Sequence, residues 1–470
     1  MTKRSKIILI CVVAAVLVAA VTVTLCLTLI GRGDDPETPG VTVSLNVNAY
    51  QLAEDETFML TATTNSTDIV KWTSSNPAVA SVSSQGRVIA KTVGETTITA
   101  TAGEATDTCR LTVVADPGAS TTIVTGETIL RLSAATGAQQ ILGSVKTADG
   151  EMSLAAANAA YRSDDLSVAT VSADGTVTPV SVGSTTVLVT AAGRTKAVTV
   201  EVYTMLISSA GEWNAMLDLP GDLGARFYVT DDIDFTGVAY RTKARGGGKV
   251  LLAESMSGSL DGGGHTVRNI TFDPDTAEQS LFGTIVGFSL SHIAFENVHF
   301  TAGNAAGLAM RMMQHYDELD GAGNFTGDTV FAPTYLSGVY ADFVYDAHGA
   351  TGIAGTYYGG GIEDVFVNMR MSDGGAMNPN ADFAIARKSM VWWNDDPNWF
   401  PNNYVNNVVV LSEAGTVSSA WDTTLDGAGS SVDLALLYIC NGRMDASYYV
   451  RTLFDSSLWS VTPGQLPKLK

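Results

Sequence analysis

The chain repeats itself, and the repeat restricts what its first half can fold into. Trp72-Thr-Ser-Ser-Asn-Pro-Ala-Val-Ala-Ser-Val-Ser-Ser-Gln-Gly-Arg-Val returns 89 residues later as Tyr161-Arg-Ser-Asp-Asp-Leu-Ser-Val-Ala-Thr-Val-Ser-Ala-Asp-Gly-Thr-Val. The match runs on without a gap from Val93-Gly94-Glu95-Thr96-Thr97 to Val182-Gly183-Ser184-Thr185-Thr186. A fixed period of this kind marks one structural unit used twice. In each copy two valines lead into a turn at Gln85-Gly86 or Asp174-Gly175 and a third follows it, Val88 or Val177. That is the signature of a tight hairpin. Alternation at Thr97, Thr99 and Thr101, and at Val187, Val189 and Ala191, predicts further strands with one buried face. About seven short strands in about 80 residues is the size of a two-sheet sandwich.

The combined motif, aromatic-x-Ser-x-Asn/Asp, Val-Ala-x-Val, a turn glycine and Val-Gly-x-Thr-Thr, resembles the bacterial immunoglobulin-like group 2 domain. The resemblance implies domains at 41–115 and 116–204, with the second copy longer and Ala-rich before its motif, over 133–160. It also implies a role as spacer or adhesive module on a bacterial surface. Trp72 and Tyr161 read as core residues beneath a strand.

Ahead of the repeats lies an uncharged run of 24 residues, Ile7 to Ile30, about 36 Å long as a helix and enough to cross a bilayer. It is too long for the apolar core of a cleaved signal peptide, about 7 to 15 residues. Lys3, Arg4 and Lys6 precede it, while Asp34, Asp35 and Glu37 follow. The positive-inside bias therefore predicts a cytoplasmic tail (1–6), a single-pass uncleaved signal anchor (7–30), a linker (31–40) and an extracellular remainder in the cell membrane. The full chain holds 48 acidic and 27 basic residues, net −21. Residues 1–32 carry four bases and no acid, so the exported part holds 23 bases against 48 acids, net −25. Such a field excludes nucleic acid as a partner. Cys11 and Cys26 lie in the apolar run and Cys109 and Cys440 lie far apart, so no disulfide framework is expected.

From about 205 the texture changes to Gly, Asn, Asp and aromatics. Ile207 to Leu217 has helical apolar spacing behind a Ser start and predicts a short capping helix around Trp213. Later segments share one pattern: Leu290-Ser-His-Ile293-Ala-Phe295, Ile362-Glu-Asp-Val365-Phe-Val367 and Val405-Asn-Asn-Val408-Val-Val410 place apolar residues first, fourth and sixth. Similar strands separated by polar insertions predict a parallel β-helix whose rungs stack inward side chains. A solenoid needs end caps, and Trp213 and the segment Trp459–Leu469 are the candidates. Tyr228–Asp234, Leu260–Val267, Leu281-Phe-Gly283 and the ending Trp459 to Leu469 resemble right-handed β-helix modules of bacterial surface proteins, including those with GLUG-type repeats. Residues 311–361 and 372–403 depart from that pattern as long excursions.

Such folds host polysaccharide hydrolases and lyases. A hydrolase needs two carboxylates about 5 to 9.5 Å apart on one groove. Asp231, Asp232, Asp234, Asp261, Asp364, Asp395 and Asp396 are too many for a pair to be singled out. Asp261 and His265 sit in a Gly-rich turn and read as structural. Arg241, Lys243, Arg245 and Lys249 read as a solvated loop. Asp317, Asp320, Asn324 and Asp328 supply oxygen ligands of the kind calcium prefers, without the EF-hand order. The five His residues show no zinc spacing, and no other cofactor is implied. The most suggestive constellation is Trp392, Trp393, Asn394, Asp395, Trp399 and Phe400, aromatic faces beside hydrogen-bonding groups in a polar excursion.

The expectation is an all-β chain: an N-terminal transmembrane helix, two immunoglobulin-like β-sandwiches, and over 205–470 a right-handed parallel β-helix. Its function is expected to be a membrane-anchored bacterial surface protein whose β-helix serves adhesion or glycan binding, with glycans or cell-surface proteins as partners. A polysaccharide-degrading enzyme and a purely architectural protein are the alternatives.

Overall fold

The computed structural model describes residues 41–54, 56–65, 70–103, 105–114, 121–147, 149–243, 250–276, 278–320, 324–378, 380–389, 404–412, 437–440 and 443–470. The anchor read at 7–30 lies outside them. No helix among the described residues is long and apolar enough to cross a membrane. The chain divides into two compact units, residues 1–115 and 116–470.

In the first unit, alternation resolves into two principal sheets. One has the order Ala49–Ala53, Ala105–Val114, Gly94–Ala102, Lys71–Ser74, with the first pair parallel. The other has the order Thr57–Met59, Arg87–Ala90, Ala80–Val82. Ile98, Ala100, Ala102, Leu111 and Val113 fill the space between, all essentially inaccessible. The second unit begins with the same arrangement: Ile129–Ser133, Arg194–Tyr203, Gly183–Ala191, Ala160–Ser163 against Gln139–Gln140, Thr176–Pro179, Ala169–Val171. The longer stretch before the second motif supplies two strands, Gly143–Thr147 and Gly150–Ser153, which join Thr122–Thr125 in a third sheet.

The repeated aromatic and the repeated turn glycine are one device. Gly86 and Gly175 both have φ of 83°, a conformation that disfavours any Cβ. A Cβ at Gly86 would also stand 2.2 Å from the Leu60 carbonyl oxygen and 3.0 Å from the Trp72 ring; at Gly175 it would stand 2.6 Å from the Tyr161 ring. Trp72 and Tyr161 are half-buried and lie over the turn as lids on the hairpin, and Tyr161 also packs against the core of its sandwich.

From Met205 the second unit continues as a sheet of thirteen described strands, every pairing of which is parallel. Its main path is Met205–Ile207, Arg226–Val229, Met256–Asp261, Thr284–Phe300, Tyr335–Tyr345, Gly361–Met371, Tyr404–Leu411, Leu437–Cys440, in chain order. The first, fourth and sixth positions of the sequence pattern are its interior columns. Met205, Phe227, Leu260, Leu290, Leu336, Ile362 and Val405 stand in one register. Ile293, Val339, Val365, Val408 and Leu437 form the second. Ile233, Val267, Phe295, Ala341, Val367, Val410 and Ile439 form the third. Burying one such side chain contributes about 1.5–3 kcal/mol, so the columns dominate the stability of the ladder.

The third position of the pattern bends each strand. His292, Gly338, Asp364 and Asn407 occupy it with φ of 50°, 61°, 51° and 52°. Gly, Asn and Asp tolerate this left-handed region best. The fifth position points outward yet is apolar: Ala294, Tyr340, Phe366 and Val409 stack in a row. The helix Arg443–Leu453 and the antiparallel pair Trp459–Ser460 and Lys468–Leu469 cover this row, with Val450, Phe454 and Trp459 buried against it. The expectation that Trp459 closes the end of the ladder is therefore corrected: the C-terminal segment lies along its flank, because the outward apolar row requires cover.

At the start of the ladder the helix Ala210–Asp218 forms as its sequence predicts. Ser209 Oγ accepts from Glu212 N, and Glu212 Oε2 accepts from Ser208 N at 2.8 Å, two reciprocal caps. Trp213 is fully buried against Phe282 and Phe295, and its Nε1 donates to the Tyr240 hydroxyl at 3.2 Å. The second sandwich packs directly on the ladder. Arg131 lies 4.2 Å over the Tyr228 ring, Arg226 lies 4.8 Å over the Tyr203 ring, and the two tyrosine rings are 5.4 Å apart.

Candidate functional site

The carboxylates that the sequence offers for chemistry are committed to the turns of their own ladder. Asp232 Oδ1 accepts from Thr266 N at 3.0 Å and lies 3.4 Å from His265 Nδ1. Asp234 accepts from Asn269, from the hydroxyl and amide of Thr236, and from Arg268; these bonds hold its carboxyl far below the ordinary carboxylate range. Asp261 Oδ1 accepts from Gly263 N at 2.9 Å, the turn role expected for it, and lies 3.4 Å from His292 Nδ1. Asp231 Oδ2 accepts from the Thr230 hydroxyl. Asp364 accepts from Asn407 Nδ2 at 3.0 Å one rung on. Burial pushes the Asp364 carboxyl up, against that hydrogen bond. Asp395 and Asp396 lie outside the described residues.

Where the C-terminal segment meets the bend row, the structure assembles a constellation that motif reading missed. His292 is pushed up by its hydrogen bond with Asp261 and by the charge of Asp455, against its burial. Asp455 is held down by the amide and hydroxyl of Ser457 and by the charges of His292 and Lys470. Lys470 Nζ donates to the Ser456 carbonyl at 2.6 Å, and Lys470 N to the Leu458 carbonyl at 2.8 Å. A second histidine pair lies further along: buried Asp382 accepts from Gly349 N, Ala350 N, Asn378 N and His348 Nδ1, between 2.7 and 3.0 Å. The signal for the first group is present in the sequence as the third position of the one-four-six pattern, where His, Asp and Asn recur.

The residues proposed for ligands separate. Trp392, Trp393, Asn394, Asp395, Trp399 and Phe400 lie outside the described residues, between the strands Ala386–Ser389 and Tyr404–Leu411. The calcium candidates fall on an antiparallel hairpin, His315–Leu319 with Phe325–Phe331. Asp317 Oδ2 accepts from Val250 N at 2.7 Å, Asp320 Oδ1 accepts from Asn324 N at 2.8 Å, and Asp328 stands on the exposed strand. No three His, Cys, Asp or Glu among the described residues are grouped to hold a metal ion. Arg241 pairs with Asp218 and Lys243 donates to the Leu219 carbonyl, while Arg245 and Lys249 lie outside the described residues. Cys109 and Cys440 are buried free thiols pushed up to about 12 and about 11 by burial, so neither is a nucleophile.

The geometry offers a rigid ladder with a covered flank, joined to a sandwich. Among curated proteins, no relative matches. Similar solved structures include the S-layer protein SbsC, 23% identical over 35% of this chain, with a TM-score of 0.16. The chain covers only 28% of that structure. Its domains 4 and 5 alone are also 23% identical, covering 34% of this chain and 96% of that one, with a TM-score of 0.15. Drosophila N-cadherin is 11% identical over 35% of this chain and 49% of that one, with a TM-score of 0.15. Residues 37–113 and 133–202 match the family "Bacterial Ig-like domain (group 2)". The second match begins at Ser133, the last residue of the strand Ile129–Ser133, where the longer Ala-rich stretch starts. The chain thus carries two bacterial immunoglobulin-like domains ahead of its parallel ladder.

Proposed function

We propose that this is a bacterial cell-surface protein whose immunoglobulin-like domains present a parallel β-helix, residues 205–470, as a module for binding glycans or surface proteins. The two family matches support the surface reading. The observation that carries binding over hydrolysis is the commitment of Asp231, Asp232, Asp234, Asp261 and Asp364 to donors of their own chain. A hydrolase keeps one carboxylic acid and one carboxylate facing a shared groove. The aromatic set Trp392, Trp393 and Trp399 is the proposed contact surface, with residues 7–30 as the proposed anchor. Full-length protein applied to a glycan array is expected to bind, and Trp393→Ala and Trp399→Ala to weaken binding at least about tenfold. Retained binding in both variants removes the aromatic set from the reading. Release of reducing ends from a bound polysaccharide would replace the reading with the enzyme.

A further inference from the structure

The two sandwiches differ at one corner, and the difference opens a cavity in the second. Strand register matches the copies there residue by residue. Tyr50 pairs with Leu111, and Leu130 pairs with Val200, 89 residues on. Phe58 pairs with Val88, and Gln139 pairs with Val177, again 89 residues on. Asn46 N donates to the Thr61 carbonyl at 3.0 Å, as Gly126 N does to the Leu142 carbonyl at 2.9 Å. Leu130, Gln139 and Gly126 thus stand where the first copy has Tyr50, Phe58 and Asn46.

The first copy fills this corner with its own side chains. Tyr50 and Phe58 are buried and stacked, with ring centroids 4.1 Å apart, and Asn46 Oδ1 accepts from Thr61 N at 3.0 Å. In the second copy all three replacements line a cavity of about 300 Å³. Ile141 and Val198 give it a buried apolar wall, and Leu142, 68% exposed, stands at its mouth. What the second copy lacks is specific: an aromatic ring, and an amide carbonyl facing the backbone N–H of Leu142. Gly126 has no side chain to supply that carbonyl, and the Gln139 side-chain amide bonds no described residue. The volume lies at the lower edge of ligand pockets, roughly 300 Å³ and upward, and so admits one ring and not an oligomer.

A ring and an amide carbonyl on one molecule are what an aromatic residue within a polypeptide carries. We propose that this cavity receives a phenylalanine or tyrosine residue of a protein partner. The ring takes the place of the Tyr50–Phe58 stack against Leu130, Ile141 and Val198. The partner's backbone carbonyl accepts from Leu142 N as Asn46 Oδ1 does from Thr61 N, and the Gln139 amide bonds the adjoining peptide group. The site belongs to the second sandwich and stands apart from the β-helix surface to which glycan binding is assigned.

The test is ligand-observed NMR titration of the full chain with N-acetyl-L-phenylalaninamide, N-acetyl-L-alaninamide and benzyl alcohol. The phenylalanine amide is expected to bind about tenfold or more tighter than the alanine amide, through burial of its ring. It is expected to bind several-fold tighter than benzyl alcohol, which has the ring without the amide. Gly126→Asn combined with Gln139→Phe restores the first copy's filling and should weaken binding at least about tenfold with no fall in the thermal midpoint. Gly126 is outside the left-handed region, and a Cβ there meets only the Leu142 carbonyl oxygen, at 3.7 Å. Gly126→Asn alone therefore keeps the fold and should weaken binding several-fold, which decides the matter if the double variant unfolds early. Equal affinity for the two amides, benzyl alcohol held as tightly as the phenylalanine amide, or undiminished binding in either variant that keeps its midpoint overturns the proposal.

Discussion

The joint between the second sandwich and the ladder predicts that the two unfold together, and Arg131→Ala tests it. Arg131 belongs to a sandwich strand but lies 4.2 Å over the Tyr228 ring of the ladder, with its Nε 3.4 Å from Glu201. Arg226 makes the reverse contact, ladder to sandwich, at 4.8 Å over Tyr203. Backbone ties it further: Thr204 N donates to the Arg226 carbonyl at 2.8 Å, and Arg226 N donates to the Thr204 hydroxyl at 3.0 Å. A partly desolvated cation–π contact contributes about 1–2 kcal/mol. The partly buried Glu201 pair, at 3.4 Å, adds about 1 kcal/mol or less. Removing Arg131 therefore costs about 2 kcal/mol. With a urea dependence of about 4 kcal/mol per M for so large a unit, the midpoint falls by about 0.5 M. The assay exploits the tryptophan distribution: no Trp occurs between residues 116 and 203. In a Trp72→Phe background all tryptophan fluorescence beyond the anchor comes from residues 205 onward, so a sandwich substitution read there reports transmitted stability. If the fluorescence midpoint stays put while circular dichroism shows a separate, earlier phase, the joint transmits nothing and coupled unfolding is refuted.

Three further sites carry predictions, at the turns and bends. Gly175→Ala is expected to lower the stability of the second unit by at least about 2 kcal/mol, the left-handed penalty plus the clash with the Tyr161 ring, and a urea midpoint unchanged within error would refute the lid reading. Asp364→Asn keeps a residue that tolerates left-handed backbone and removes a charge that burial, Glu363 and Asp455 all disfavour, so thermal unfolding at neutral pH should move upward. Asp364→Val should instead cost about 1–2 kcal/mol through the bend alone; the reverse order of the two variants would show that the charge is not the burden inferred. His292, raised in the folded chain by Asp261 and Asp455, contributes stability that is complete below the ordinary imidazole value near 6.5 and is lost as pH rises through its folded value. Midpoints measured from about pH 5 to 8 should converge on those of His292→Gln at the alkaline end, and parallel curves would exclude the clamp.

Much of this fold is legible because β structure writes its contacts into short periods. The 89-residue repeat carries both sandwiches, down to the paired turn glycines. The one-four-six pattern carries three interior columns, because a strand that bends at its third residue turns the fourth and sixth back inward. The same rule refines one reading and explains one misreading. Trp72 and Tyr161 read as core residues, and Tyr161 does pack against its core, but each ring also fills the space that a glycine without a side chain leaves at Gly86 or Gly175. Trp459 reads as an end cap because it comes after the last rung in sequence, and sequence order does not say whether a trailing segment continues along the axis or folds back.

The fifth position of the pattern holds the answer to that last question. Ala294, Tyr340, Phe366 and Val409 alternate out of phase with the interior columns, so they face away from the core, yet none is charged. An outward row of that width, left in water, would forgo about 1.5–3 kcal/mol for each large side chain. The chain must therefore supply a cover, and the apolar face of Arg443–Leu453 with Phe454 and Trp459 provides it. Covering a flat row with a helix and a strand pair leaves a gap of about 260 Å³ between them, with Val450, Phe454 and Trp459 in its lining. The ladder's periodicity thus dictates the flank, and the flank dictates the fold-back.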